Sequence, residues 1–234
     1  MTPDLLPAIE LHTGGDAHAS LIVLHGLGAD GNDFVPVCQA MQLGPVGPVR
    51  CVLPHAPQRP VTINNGYVMP AWYDILSLGG APRREDEAGL RESQRQIAAL
   101  IDREVARGVP AERIVVAGFS QGAAMALMTG LRYPQRLAGI VGLSGYLPLA
   151  AATAGERHTA NAATPVFLAH GRLDDVVPMT MNNASRDALT ALGHAVEWHE
   201  YPMAHSVCME EIADLQRWLL RVLAQPSSTA TPAP

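Results

Sequence analysis

The sequence predicts an α/β protein built on a mostly parallel sheet, and three observations carry that prediction. Short apolar runs rich in β-branched residues recur along the chain, segments of helical periodicity lie between them, and 48% of the 234 residues are hydrophobic, enough for one substantial core.

The runs are Ser20 to Leu24, Val49 to Leu53, Arg113 to Ala117, Gly139 to Leu143, Pro165 to Ala169 and Val196 to Tyr201; each stops beside Gly, Pro or His and reads as a strand, mostly buried on both faces. The clearest intervening segment, Glu85 to Arg107, places Leu90, Ile97, Leu100, Ile101 and Val105 on one helical face and its charges elsewhere. Strands alternating with helices imply right-handed crossovers, hence a central sheet of about seven strands with helices on both faces. A single domain over residues 1–224 is expected.

Two stretches depart from this alternation. Residues 54–84 hold prolines, Asn64-Asn65-Gly66 and Gly79-Gly80, yet also Tyr67, Met69, Trp72, Tyr73, Ile75, Leu76 and Leu78. A long irregular loop carrying that much apolar surface suits an active-site lid or wall, with a loop folded back on the core as the plainer reading. Residues 225–234, rich in Pro, Ser, Thr and Ala, have almost nothing to bury and predict a disordered tail.

Composition narrows the partners. A formal charge of -6 with scattered Lys and Arg offers no basic stripe for a phosphate backbone, so nucleic acid is not an expected partner. Met1 to Glu10 lacks a basic segment followed by an apolar one, and no stretch reaches the roughly 20 apolar residues that span a bilayer. A cytoplasmic protein without integral membrane contact is expected. Cys38, Cys51 and Cys208 are widely separated and lack metal-ligand spacing, which predicts reduced packing residues, no disulfide framework and no zinc site.

The chemistry concentrates at strand ends. Arg113 to Ala117 runs into Gly118-Phe119-Ser120-Gln121-Gly122, followed by the helix-favouring Ala123 to Met128. Strand, G-x-S-x-G and helix in succession form the sharp turn that lifts a nucleophilic serine above a sheet. Ser144, in Gly142-Leu143-Ser144-Gly145, is a competitor without the second glycine's spacing or a following helix. After Ser20 to Leu24 comes His25-Gly26-Leu27-Gly28-Ala29-Asp30-Gly31, a glycine-rich turn able to aim main-chain N–H groups into the crevice. Pairing the Leu27 N–H with that of Gln121 would hold a tetrahedral oxyanion, one such donor being worth about 3 kcal/mol. A phosphate-binding loop is the rival, but the Walker lysine and the G-x-G-x-x-G spacing are missing.

Beyond Pro165 to Ala169 lies His170-Gly171-Arg172-Leu173-Asp174-Asp175, and beyond Tyr201-Pro202 lies Met203-Ala204-His205. The chain order Ser, Asp, His, each just past a strand, is that of α/β-hydrolases. His205 can take the Ser120 proton, and a carboxylate on its other nitrogen can fix the tautomer; spacing alone does not choose between Asp174 and Asp175. Among the nine histidines, His199 lies inside a strand, His25 and His170 precede glycines at strand ends, and the others lack the setting of His205. These side chains suffice for acyl transfer, so no cofactor or metal is expected.

Together these segments resemble the carboxylesterase, lysophospholipase and acyl-protein thioesterase family of α/β-hydrolases, and look closest to its small bacterial carboxylesterases. The resemblance rests on His25-Gly26-Leu27-Gly28, Pro70-Ala71-Trp72-Tyr73-Asp74, Gly118 to Gly122, His170 to Asp174 and Tyr201-Pro202-Met203-Ala204-His205, and covers Ser20 to Val222. It implies an α/β-hydrolase fold, selects Asp174 as the triad acid, matches Leu27 and Gln121 to the oxyanion donors, and sets the loop around Trp72 beside the acyl site. Ala204 departs from the glycine of many members. The candidate substrate contacts are Leu27, Met69, Trp72, Ile75, Leu76 and Val177.

The expected function is hydrolysis of carboxylic esters or thioesters of a small or lipid-like acyl group through an acyl-enzyme on Ser120. A catalytically inactive hydrolase fold serving as a binding module is the alternative, and the complete Ser, Asp, His set with both oxyanion loops opposes it. A lipase is disfavoured because no H-G-G-G run occurs at the oxyanion loop. Apolar residues near the lid leave a homodimer contact as another use of that surface.

Overall fold

All six apolar runs form strands, and three more strands come from chain that the hydrophobic pattern does not single out. The strands are β1 (Ala8–His12), β2 (Ala19–Leu24), β3 (Val49–Pro54), β4 (Gln58–Val61), β5 (Tyr67–Pro70), β6 (Ile114–Phe119), β7 (Gly139–Leu143), β8 (Val166–Gly171) and β9 (Val196–Tyr201). The α-helices are α1 (Val35–Ala40), α2 (Glu87–Ala106), α3 (Gln121–Arg132), α4 (Ala150–Glu156), α5 (Met179–Ala191) and α6 (Met209–Ala224). The computed structural model describes residues 5–77 and 84–224, so the predicted tail at 225–234 and Leu78 lie outside the described residues.

Seven strands make one sheet in the order β1-β3-β2-β6-β7-β8-β9, parallel except where β1 runs antiparallel to β3. β2, β3 and β7 are buried along their whole length, as strands covered on both faces must be. Alternate side chains separate into two cores. Leu21, Val23, Cys51, Leu53, Val115 and Val141 pack with α1 and α6 through Cys38, Leu215, Trp218 and Leu219. On the other face Ile22, Leu24, Val52, Ile114 and Val116 pack with α2 and α3 through Leu90, Ile97, Leu100, Ile101, Met125 and Met128.

Two sequence expectations are corrected here. β1 was not anticipated because an edge strand of five partly exposed residues produces no continuous apolar run. Residues 58–70 are not irregular: β4 and β5 form an antiparallel hairpin with Arg59 opposite Met69 and Val61 opposite Tyr67. Its turn uses Asn65 and Gly66 at φ 55° and 74°, the left-handed conformations that an Asn-Gly pair supplies. Pro60 and Pro70 hide the strands from a propensity reading, since proline is confined to edges and ends of sheets.

α6 starts where the Cys208 carbonyl accepts the Ile212 N–H at 3.1 Å, which puts Glu211 at the third helical position, the place from which Glu or Gln reaches back toward the cap. Glu211 is fully buried, and neither carboxyl oxygen has a hydrogen bond of normal geometry among the described residues. Burial pushes this carboxyl up to about 8, against a smaller opposing pull from the Cys208 backbone N–H. Folding therefore favours the protonated form, and the stability it contributes is full below the ordinary 4.5 and is lost as pH rises through about 8. Glu211→Gln, which keeps the shape and never ionises, is expected to be more stable than wild type above pH about 8 by about 1–3 kcal/mol, with no such advantage below about 4.5. Urea unfolding midpoints at the two pH extremes check this; an advantage independent of pH would refute it.

Candidate active site

The crossovers deliver the candidate residues to one place, the carboxyl edge of the sheet, where α/β proteins bind their ligands. β6 ends at Phe119, and Ser120 turns the chain directly into α3 with φ 55° and ψ -118°. Such a left-handed residue other than glycine costs about 1–3 kcal/mol and persists only where its surroundings over-determine it. Here the Ser120 N–H donates to the Leu143 carbonyl at 2.8 Å, and the Ser120 carbonyl accepts from Ala123 and Ala124 at 3.0 and 3.2 Å. A side chain at Gly122 would collide with the Leu24 and His25 carbonyls, and one at Gly118 with the Gly122 carbonyl, so both glycines are required by the close approach of helix and strands.

His205 lies on the loop after β9, and its Nε2 is 2.8 Å from Ser120 Oγ. Its Nδ1 is 2.7 Å from Asp174 Oδ2. The loops that carry Asp174 and His205 touch because Gly171 has no side chain to clash with the carbonyls of Met203 and Ala204. Backbone pairing continues beyond the strands there: Arg172 N–H donates to Tyr201 and Leu173 N–H to Met203, at 2.8 and 3.0 Å. Phe119 packs against the His205 ring with centroids 4.7 Å apart, which limits how the imidazole can turn.

Asp174 is held from both sides. Its Oδ1 accepts the backbone N–H groups of Val176 and Val177 at 2.9 and 2.8 Å, and its carboxylate is inaccessible to solvent. Oδ2 faces His205 and also lies 3.3 Å from His170 Nε2. Asn182 Nδ2 donates to His170 Nδ1 at 2.9 Å, so the His170 proton resides on Nε2, which donates to the Val177 carbonyl at 2.8 Å. Burial lowers the His170 pKa, with the Val177 carbonyl opposing, so this ring stays neutral beside the carboxylate. Asp175 is exposed.

Ser120 and His205 open onto a cavity of about 290 Å³ whose walls include Leu27, Ile63, Tyr73, Ile75, Tyr146, Val177 and Met181. Leu27 and Gln121 both line it, and among the described residues neither N–H donates to another group. Of the predicted substrate contacts, Leu27, Ile75 and Val177 are in its walls, whereas Met69, Trp72 and Leu76 are not. The reason is alternation: Tyr73 and Ile75 face the cavity, while Trp72 turns into the core, fully buried, and donates its indole N–H to the His25 carbonyl at 2.9 Å. Met69 Sδ instead accepts from Asn64 Nδ2 at 3.4 Å. Tyr146 was missed although it follows β7 at the productive edge, a position that could have flagged it; Met181, at the start of α5, carries no sequence signal.

Comparison with known proteins agrees with this architecture. Residues 8–223 match the phospholipase/carboxylesterase family. The chain belongs to this family. Among its relatives, an acyl-protein thioesterase 1 from Neurospora crassa is 41% identical over 225 residues, covering 93% of this chain and 90% of its own. Another acyl-protein thioesterase 1, from Yarrowia lipolytica, is 40% identical over 217 residues, covering 91% and 96%. Arabidopsis thaliana SOBER1 superposes with a TM-score of 0.84 at 31% identity, covering 88% of this chain and all of that one (100%). Zea mays acyl-protein thioesterase 2 gives 0.82 at 30% identity, covering 93% and 99%. As a member of the phospholipase/carboxylesterase family the chain has the α/β-hydrolase fold and is a hydrolase of the ester- and thioester-cleaving class.

The contrast between the adjacent aspartates yields a test. Asp174→Asn is expected to lower turnover by about 10⁴-fold, as the equivalent loss does in a serine protease, because the amide no longer fixes the His205 tautomer. Asp175→Asn, altering an exposed side chain, should leave turnover near wild type; steady-state rates for the two variants decide it, and a reversed order would reject the assignment.

Proposed function

We propose that this chain hydrolyses thioesters and esters of apolar acyl groups, with Ser120 as nucleophile, His205 as general base and then general acid, and Asp174 as the group that orients the imidazole. The unbroken sequence of contacts from Asp174 Oδ2 through His205 to Ser120 Oγ, at 2.7 and 2.8 Å and opening onto the apolar cavity, is the observation that carries this reading. The names of the relatives, acyl-protein thioesterases, support an acyl thioester as one substrate class.

In the first half-reaction Ser120 Oγ adds to the acyl carbon as its proton passes to His205 Nε2. Negative charge then develops on the carbonyl oxygen, which the free N–H groups of Leu27 and Gln121 receive. His205 returns the proton to the departing thiol or alcohol, leaving the acyl group on Ser120. Water, deprotonated by His205, attacks that ester; as the bond from the acyl carbon to Ser120 Oγ breaks, His205 returns the proton to Oγ and the carboxylic acid leaves. The cavity walls take the acyl chain, with Ile63, Tyr73 and Ile75 supplying the contribution of the 54–84 segment, and residues 1–224 act as one unit in this scheme.

Among the described residues no helix is long and apolar enough to cross a membrane, and the three cysteines are free, which fits a reducing cytoplasm. Ser120→Ala should lower hydrolysis of a short p-nitrophenyl ester by about 10⁶-fold, the scale seen when a serine protease loses its nucleophile, and abolish labelling by a fluorophosphonate. On a series of p-nitrophenyl esters and acyl thioesters, kcat/KM should rise with chain length, by no more than about 1–3 kcal/mol per methylene, until the cavity is filled. Unlabelled wild-type protein, or a rate indifferent to chain length, would refute the nucleophile and the acyl cavity respectively.

A further inference from the structure

His25 is fully buried at the end of β2 and is not part of the cavity wall. Its Nε2 accepts the backbone N–H of Ala56 at 3.0 Å, so its ring proton resides on Nδ1, 2.7 Å from the Gly26 carbonyl oxygen. Burial lowers the His25 pKa, with the Gly26 carbonyl opposing, and the Ala56 N–H occupies the position a second proton would need. The ring is therefore a neutral donor of fixed direction. The oxygen it holds also accepts the Ala29 N–H at 3.3 Å.

A trans peptide points its C=O and its N–H to opposite sides. Holding the Gly26 oxygen toward the His25 ring thus turns the N–H of the same peptide, that of Leu27, the other way. Leu27 borders the cavity. The carbonyl of His25 is itself fixed by the Trp72 indole at 2.9 Å. Trp72 also donates its backbone N–H to Gln121 Oε1 at 2.7 Å, and Gln121 Nε2 donates to the Tyr73 carbonyl at 2.7 Å. One buried residue therefore braces the two loops that carry Leu27 and Gln121.

We propose that His25 is a positioning residue for the oxyanion site: through the Gly26 carbonyl its Nδ1–H sets the direction of the Leu27 N–H, and Trp72 keeps that arrangement in register with the Ser120 turn. This rests on the reading of Leu27 as an oxyanion donor.

Glutamine and asparagine separate the two ring nitrogens, since a glutamine amide reaches the place of Nε2 and an asparagine amide that of Nδ1. His25→Gln, with no donor for the Gly26 oxygen, should lose about 10²-fold in kcat/KM on a short p-nitrophenyl ester, the lower end of what an absent oxyanion donor costs, with KM little changed. A trifluoromethyl ketone reads the same site in a stable adduct: Ser120 Oγ bonds to the ketone carbon, the π pair moves onto oxygen, and the serine proton passes to His205. Its Ki should rise in His25→Gln by the factor lost in kcat/KM. His25→Asn, which keeps the donor, should retain most of the wild-type rate and affinity. Equal losses in both variants, or an unchanged Ki beside a fallen rate, would overturn the proposal.

Should either variant fail to fold by circular dichroism, the ¹⁵N spectrum of histidine-labelled wild-type protein decides. A neutral Nδ1–H tautomer for His25 across the active pH range is expected, and an Nε2–H or doubly protonated ring overturns the proposal. Wild-type protein that neither turns over the ester nor binds the ketone would instead implicate the Ser120 reading.

Discussion

The turn at Ser120 imposes a conformation that an L-residue avoids, and the surrounding architecture is organised to hold it. β6 and α3 must approach closely enough that neither Gly118 nor Gly122 can carry a side chain, and the neighbouring β2 and β7 contribute the contacts that fix the turn. The strain follows from placing one hydroxyl above the edge of a buried parallel sheet while its helix starts immediately behind it. Because α3 begins at Gln121, the same turn that raises the hydroxyl leaves the N–H of Gln121, a residue of the cavity wall, without an intrahelical partner. The Ser120 hydroxyl and the Gln121 N–H thus share one backbone constraint.

Around this point the polar groups have unequal freedom. Asp174 is immobilised by two main-chain N–H groups on one oxygen and flanked by two imidazoles on the other, whereas His205 is partly accessible and held by Asp174 at Nδ1 and by the Phe119 ring against its side. His170 and His25, the two histidines that precede glycines at strand ends, are buried with depressed pKa values and serve as neutral donors to carbonyls. The histidines at this edge therefore divide into two buried neutral donors and one partly accessible ring, His205, that bridges Asp174 and Ser120.

Much of the fold was legible because parallel strands covered on both faces announce themselves: β7 coincides with the run Gly139 to Leu143, and β3 contains the run Val49 to Leu53. β1 and the β4–β5 hairpin were not legible, since pairing on one side leaves short, half-exposed or proline-bearing segments without a pattern, although Asn65-Gly66 did mark the turn. Ser120, His205 and the Asp174–Asp175 pair could be proposed from their places after strands. Spacing was blind to which aspartate meets the imidazole, because that depends on which of two neighbours is drawn inward by the N–H groups of Val176 and Val177. The cavity walls were least accessible to sequence reasoning. Trp72, with its large apolar ring, suggested a substrate contact, but its indole N–H finds its acceptor in the core, and Met181 reaches the cavity from a helix without any motif.

The backbone ladder between β8 and β9 runs on into the loops that carry Asp174 and His205. Alignment of Asp174 with His205 is thereby inherited from sheet register, where a slip of one residue displaces a side chain by about 3.3 Å and reverses the face it points to. The few residues between each strand end and Asp174 or His205 are consequently the places where an insertion or deletion would break this alignment.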